Sequence, residues 1–178
     1  SEEDIAIFKR RCLTAVLNPA SNLKLASGIA PVKRFLDEGI AIAIGTDGAG
    51  SNNALDMFRE MYLVSVLSKY RESDASAVDA AKVLKAACAG GARAMGLAAC
   101  DGIAVGKGAD LSVIDLSRPN MRPINNIAKN IVYAGSKENV RLTMVNGRIL
   151  YENGEFFIGE DAEKIYEEAE KIMETIKQ

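Results

Sequence analysis

The chain has 178 residues, 22 of them Lys or Arg and 24 Asp or Glu, with a net charge of −2 and a mean hydropathy near zero. That length holds one domain or two small ones. The balanced charge and an aromatic content of 6% give no footing for nucleic acid or an anionic membrane surface as partner. No apolar run approaches the ~20 residues of a membrane span. The acidic start Ser1-Glu2-Glu3-Asp4 lacks a signal-peptide pattern. Cys12, Cys88 and Cys100 are widely spaced, which argues against a disulfide framework or a C-x-x-C zinc site. They read as small core residues in a reducing cytoplasm.

In chain order, residues 2–11 read as a helix with Ile5 and Phe8 on one side and a basic end that suits the helix dipole. Residues 12–17 form a short apolar run, expected as a buried strand closed by Pro19. Residues 21–28 read as a polar loop ending in Gly28. Residues 31–38 read as a helix that starts at Pro31 and stops at Gly39. The run Ile40-Ala41-Ile42-Ala43-Ile44 reads as a second buried strand, which makes a parallel β/α unit with the first. Long helices are expected over 55–70 and 75–89, then a short helical turn at 92–95 closed by Gly96. The pattern changes near residue 100. Turns at 101–108 precede expected strands at 109–115, 130–134, 140–145, 148–152 and 155–158. Asn146-Gly147 and Asn153-Gly154 are hairpin turns. Residues 160–177 read as a charged helix with a stripe of Ile165, Ala169, Ile172 and Ile176, more plausible as a packing face than as a coiled coil.

The stretch with most chemical content is Gly45-Thr46-Asp47-Gly48-Ala49-Gly50-Ser51-Asn52-Asn53. A β-branched run ending in Gly-Thr-Asp-Gly delivers one carboxylate at the C-terminal tip of a buried parallel strand. In α/β folds ligands and catalytic groups collect at that tip. The plainer role for Asp47 is to cap the following turn. Ser51-Asn52-Asn53 could touch substrate, but a cap for the helix at Leu55 is the simpler role, and Asp56 complements the same helix dipole. Asn22, beside Ser21, suits a structural hydrogen bond that ties its loop down. Gly106-Lys107-Gly108 does not meet the phosphate-loop pattern, and the spacing after Asp47 fits no EF-hand. The chain has no histidine at all, so a metal site built on imidazoles cannot be completed from its own residues.

Three ordered stretches carry a family resemblance. Asn18-Pro19-Ala20-Ser21-Asn22-Leu23-Lys24-Leu25-Ala26-Ser27-Gly28-Ile29-Ala30-Pro31 resembles the H-N-P-x-S-N-L-K-L-x-S-G-I-A-P loop of the amidohydrolase superfamily. Within it, the chain is similar to the branch that deaminates methylthioadenosine and S-adenosylhomocysteine, with relatives like atrazine chlorohydrolase. Gly45 to Asn53 resembles that branch's G-T-D-G-A-A-S-N-N after the eighth barrel strand. Gly102 to Leu111 resembles the G-x-x-x-x-G-K-x-A-D-L with which such chains re-enter a small β-sandwich. Two departures stand out: Leu17 occupies the place of the His in H-N-P, and Asn120 stands in Arg118-Pro119-Asn120-Met121-Arg122-Pro123 where His is common.

The resemblance implies an α/β fold: the C-terminal part of a metal-dependent hydrolase (β/α)8 barrel plus part of the small composite β-sandwich. It divides the chain into a partial barrel at 1–99, a sandwich segment at 100–158 and a C-terminal helix at 159–178. The His-x-His pair of the first strand, the ligand histidines of strands five and six and the proton-handling glutamate would precede it, so the chain is expected to be a C-terminal fragment. Asp47 would be both metal ligand and catalytic proton acceptor. Zinc or another divalent metal is implied in the full-length parent, with none bound by this chain alone. The implied reaction is hydrolytic deamination of an adenosine-type purine, a small-molecule substrate. The alternatives are dechlorination or guanine deamination, or a non-catalytic scaffold that keeps the fold. Exposed strand edges of a partial barrel imply self-association.

Overall fold

The computed structural model describes residues 1–176. The last residue of the expected C-terminal helix and the end of the expected third segment, residues 177 and 178, lie outside the described residues. The fold is α/β and divides into two units. The first holds residues 1–107 and 116–139. The second holds residues 108–115 and the chain from Val140 on.

In the first unit, α1 (Glu2–Arg10) starts on a capping box in which the Ser1 hydroxyl accepts from the Asp4 N–H. β1 (Thr14–Leu17) leads into α2 (Pro19–Lys24), α3 (Val32–Asp37) and β2 (Ala41–Ile44). β1 and β2 pair in parallel, Thr14 opposite Ala41 and Leu17 opposite Ile44, and the Gly45 N–H extends the ladder to the Leu17 carbonyl at 3.0 Å. Both strands end at the same level, so the segments that follow them start side by side. α2 occupies the first half of the expected polar loop 21–28. Pro19 is at its first turn, where a missing N–H costs nothing, so the proline that closes β1 also opens a helix.

α4 (Met57–Glu72) is the long helix of the unit. Its cap is Asp56, whose carboxylate accepts from Phe58 N–H at 2.9 Å, and not the Ser51-Asn52-Asn53 stretch. The expected helix 75–89 is shorter and broken. Asp74 turns the chain by accepting from the Ser76 N–H and hydroxyl, Asp79 caps α5 (Ala80–Lys85), and a π-helical turn at Ala86–Gly90 passes into α6 (Gly91–Ala94). The π turn packs on β2 so closely that a Cβ on Gly90 would lie 2.4 Å from the Ile42 carbonyl oxygen.

Residues 130–134, expected as a strand, are helical: they complete α7 (Ile127–Ala134). The Asn126 side chain caps that helix by accepting from Lys129 N–H at 3.0 Å. The β-branched Ile131-Val132 pair misleads because its packing, not its propensity, decides the backbone. Val132 is buried, and the Tyr133 hydroxyl reaches Ser65 Oγ at 2.8 Å and takes a hydrogen bond from Lys69 Nζ at 2.6 Å, both on α4. Asn120 has a structural role here, donating to the Ala134 carbonyl at 2.7 Å and to Asn139 Oδ1 at 2.8 Å. Cys12 and Cys88 are exposed and Cys100 is half-buried, which corrects the core placement expected for them.

The second unit is a four-stranded antiparallel sheet: β3 (Leu111–Ile114), β4 (Val140–Val145), β5 (Arg148–Glu152) and β6 (Glu155–Phe156), adjacent in that order. Its two tight turns are the expected ones. Asn146 and Gly147 have φ of 50° and 76°, and Asn153 and Gly154 have 49° and 101°, the left-handed pair that a two-residue hairpin needs. α8 (Ala162–Ile176) follows. No helix among the described residues is long and apolar enough to cross a membrane.

Gly90→Ala is expected to destabilise the first unit by about 1–3 kcal/mol, because the new methyl meets backbone that cannot rotate away. Gly91→Ala, whose Cβ would meet nothing within 4 Å, should leave stability unchanged or slightly raised. Urea midpoints of the two variants check this.

Candidate functional site

The site forms where the two parallel strands end. β2 has three buried residues in a row, Ile42, Ala43 and Ile44. Such a strand cannot carry a charge until it leaves the core. The first carboxylate past its end is Asp47, which is exposed. Its backbone is left-handed, with φ of 61°, a conformation that Asp tolerates better than most residues. That turn aims the carboxylate back toward the segment that follows β1.

There it meets α2. Ser21, on the first turn of that helix and 2% exposed, donates its hydroxyl to Asp47 Oδ2 at 2.6 Å. The Gly48 N–H donates to Oδ1 at 2.8 Å. The Ser21 hydroxyl above all, then the Ser51 hydroxyl and the Gly48 N–H, hold the Asp47 carboxyl below the usual carboxylate range. The group is therefore an anion at neutral pH, with one hydroxyl-bonded oxygen and open water on its exposed side.

The same unit holds a second carboxylate, and this one is buried. Glu60, on α4, is 0% exposed. Its Oε2 accepts from the Ala20 N–H at 3.0 Å and its Oε1 from Asn52 Nδ2 at 2.7 Å. The same Asn52 nitrogen donates to the Thr46 carbonyl at 2.8 Å, and Asn52 Oδ1 accepts from the Ala54 N–H at 3.3 Å. A second tie runs outside this buried set: Lys24 Nζ donates to Asn53 Oδ1 at 2.6 Å.

Asp47 thus stands where the sequence placed it, at a strand end. Asn52 is not a helix cap but a buried bridge, 1% exposed. Leu17, 4% exposed, fills with aliphatic bulk the place beside Ile44 where the H-N-P motif has its histidine. Ser21 enters as the partner of Asp47 itself. Glu60 was missed, although a signal exists. The buried residues of α4 include Met61, Val64, Ser65 and Ser68, and Glu60 falls on that face, four residues before Val64. A carboxylate on an apolar helical face needs buried donors. Among the described residues no group of three or more His, Cys, Asp or Glu stands together in a way that could hold a metal ion.

Residues 1–150 match the family model described as "Amidohydrolase family". The chain belongs to the amidohydrolase family. Among curated amidohydrolase relatives, it is 44% identical over 154 residues to a 5-methylthioadenosine/S-adenosylhomocysteine deaminase of Thermococcus onnurineus, covering 86% of this chain and 36% of that protein. It is 38% identical over 167 residues to a 5'-deoxyadenosine deaminase of Methanosarcina acetivorans, covering 94% and 38%. In structure it resembles an adenosine deaminase from Xanthomonas campestris solved with bound zinc. There the TM-score is 0.94 at 36% identity, over 99% of this chain and 40% of that one. The chain therefore spans well under half the length of the amidohydrolases it matches.

Asp47 supplies a pH test of this geometry. A carboxyl whose value is lowered by folding adds stability above its unfolded value, and that stability is lost as pH falls through the lowered one. Ser21→Ala is expected to move the Asp47 titration midpoint up toward the ordinary ~3.9 of an aspartate, followed by carbon-13 NMR of the carboxyl. A midpoint unmoved by the substitution would mean that the Ser21 hydroxyl does not bond the anion in solution.

Proposed function

We propose that the chain is the C-terminal part of a metal-dependent amidohydrolase that hydrolyses the exocyclic C–N bond of an adenosine-type nucleoside, a 5'-methylthio, 5'-deoxy or S-adenosylhomocysteine form. In this reading the β/α elements of residues 1–99 are the last units of a (β/α)8 barrel, and the antiparallel strands of the second unit belong to the small composite sandwich. The observation that carries the proposal is the seat of Asp47: one exposed, hydroxyl-bonded carboxylate at the C-terminal tip of a buried parallel strand, in a chain 44% identical to a deaminase.

The residues present fit a divalent metal in part. Asp47 is a hard anionic oxygen donor with an exposed side, suited to zinc. With no imidazole in the chain and no further acidic or thiol cluster beside it among the described residues, the other ligands have to come from the remainder of the enzyme. A zinc ion held there would lower the pKa of water to about 7 and would so supply a nucleophile at neutral pH. Asp47 would accept the proton that the attacking water gives up. The Ser21 hydroxyl and the Gly48 N–H keep its basic oxygens oriented. Overall, water adds at C6 of the purine, the C6–N bond breaks, and the amino group leaves as ammonia with one proton gained from the water, the water's other proton staying on the ring, so an adenosine-type base becomes its hypoxanthine form. In a cytoplasmic setting the exposed Cys12 and Cys88 stay thiols. By itself the chain offers two open outer edges of a parallel strand pair and exposed apolar side chains such as Leu13 and Val16, so it self-associates through them.

In the intact protein that carries this chain, Asp47→Asn should lower kcat for methylthioadenosine by ~10²–10⁴ while the fold survives. The assay follows the purine absorbance for wild type and variant side by side. Near wild-type turnover by the variant would remove Asp47 from the mechanism. A wild-type protein inert toward every adenosine and triazine tried would favour a non-catalytic scaffold. Light scattering of the isolated 178-residue chain should show assemblies; a monomer over a wide concentration range would contradict the self-association.

A further inference from the structure

The reaction as derived uses Asp47, Ser21 and Gly48, and leaves the most deeply buried charge of the first unit without a part. Glu60 is 0% exposed, yet it belongs to no ion pair among the described residues. Its two oxygens take their hydrogen bonds from two separate segments. One partner is the Ala20 N–H on α2, the neighbour in sequence of Ser21. The other is Asn52 Nδ2, which also holds the Thr46 carbonyl, the neighbour in sequence of Asp47. Each half of the Ser21–Asp47 contact is thus one residue away from a group anchored on the same carboxylate.

We propose that Glu60 is a positioning residue: through Ala20 and Asn52 it fixes α2 and the loop after β2 against each other, so that the Ser21 hydroxyl stays on the Asp47 carboxylate. Its catalytic consequence rests on the amidohydrolase reading above; the clamp itself rests on the bonds just described. The chemistry of the clamp demands a carboxylate. Both partners are donors at the atoms that face Glu60, and Asn52 cannot turn its amide around, because its oxygen already accepts from the Ala54 N–H. A glutamine in place of Glu60 has one acceptor and one NH2 group, and that NH2 would face a donor. Removing an acceptor from a buried donor is the expensive way to lose a hydrogen bond, so the segments move apart to let water in. Glu60 makes no recorded bond to Asp47, so it acts through the two segments and not on the reacting atoms.

The test uses four variants of the intact protein, Glu60→Gln, Asn52→Ala, Ser21→Ala and the double variant Glu60→Gln with Ser21→Ala, together with the Gly48 amide proton resonance of the same intact protein. That proton points at Asp47 and reports its seat without any turnover. Glu60→Gln is expected to lower kcat by about 10–100-fold, the range for groups that orient a metal's ligands, with KM within about two-fold. The double variant should be no slower than the slower single, because both substitutions break one arrangement. The Gly48 resonance should move in Glu60→Gln and in Asn52→Ala. Wild-type kcat in Glu60→Gln, or additive losses in the double variant, would overturn the proposal. So would a Gly48 resonance that stays put while thermal stability falls, the result for a residue that only holds the fold. If Glu60→Gln does not fold, Asn52→Ala cuts one arm of the same clamp and is read by the same criteria. If the wild-type protein deaminates nothing, the functional reading fails, and the Gly48 resonance still decides the clamp, supporting it if moved and overturning it if not.

Discussion

A carboxylate with no exposed surface, Glu60, is where three segments of the first unit meet. Stripping a carboxylate of water costs several kcal/mol, and the cost is offset only when buried donors replace the water. The sequence supplies two, one from the backbone of Ala20 and one from the side chain of Asn52. Losing either would leave a buried group unsatisfied, at about 1–3 kcal/mol. The arrangement therefore resists partial opening, and the segments after β1 and β2 are held to one helix, α4, as well as to their own strands.

Everything exposed at the strand ends depends on that. Asp47 stands on a non-glycine left-handed backbone, which costs of order 1 kcal/mol and persists only where the surroundings over-determine it. The determinants are the Leu17–Ile44 strand register beneath it, the Thr46 carbonyl fixed by Asn52, and Ser21 bonding its carboxylate from the side. A carboxylate that has to accept a proton at one point in space needs such rigidity, because misplacement by a fraction of an ångström weakens proton transfer steeply. The close approach of the π turn to the Ile42 and Ala43 backbone at Gly90 adds stiffness to the strand that leads to Asp47.

Much of this was legible in the residues. The parallel pair was written in two short apolar runs separated by a helix, and the Asn-Gly turns of the second unit in their dipeptides. Asp47 was legible because a charge after a wholly apolar run has to mark the strand's exit. Other elements were hidden by physics that acts at a distance. Residues 130–134 have strand-forming composition, but Tyr133 finds Ser65 and Lys69 only when the segment is helical, and Asn126 caps it there. Pro19 reads as the end of one element and is equally the start of the next. Asn52 reads as a cap because Asn before a helix usually is one, whereas its real partner lies a full turn inside that helix. Glu60 looks like an ordinary surface glutamate until the helical period of α4 is counted and its burial noticed. Leu17 reads as a lost histidine; in place it is core, and its side chain gives the site no ligand.

The central claim is that the seat built at the end of β2 holds Asp47 for a metal-assisted hydrolysis. The most direct measurement is a crystal structure of the intact protein grown with zinc, with anomalous scattering recorded on both sides of the zinc edge. The account predicts an anomalous peak within about 2.0–2.2 Å of an Asp47 carboxylate oxygen, the ordinary zinc–carboxylate distance, with Ser21 still bonded to the other oxygen. Zinc bound at full occupancy elsewhere, with Asp47 touching only Ser21 and Gly48, would contradict it.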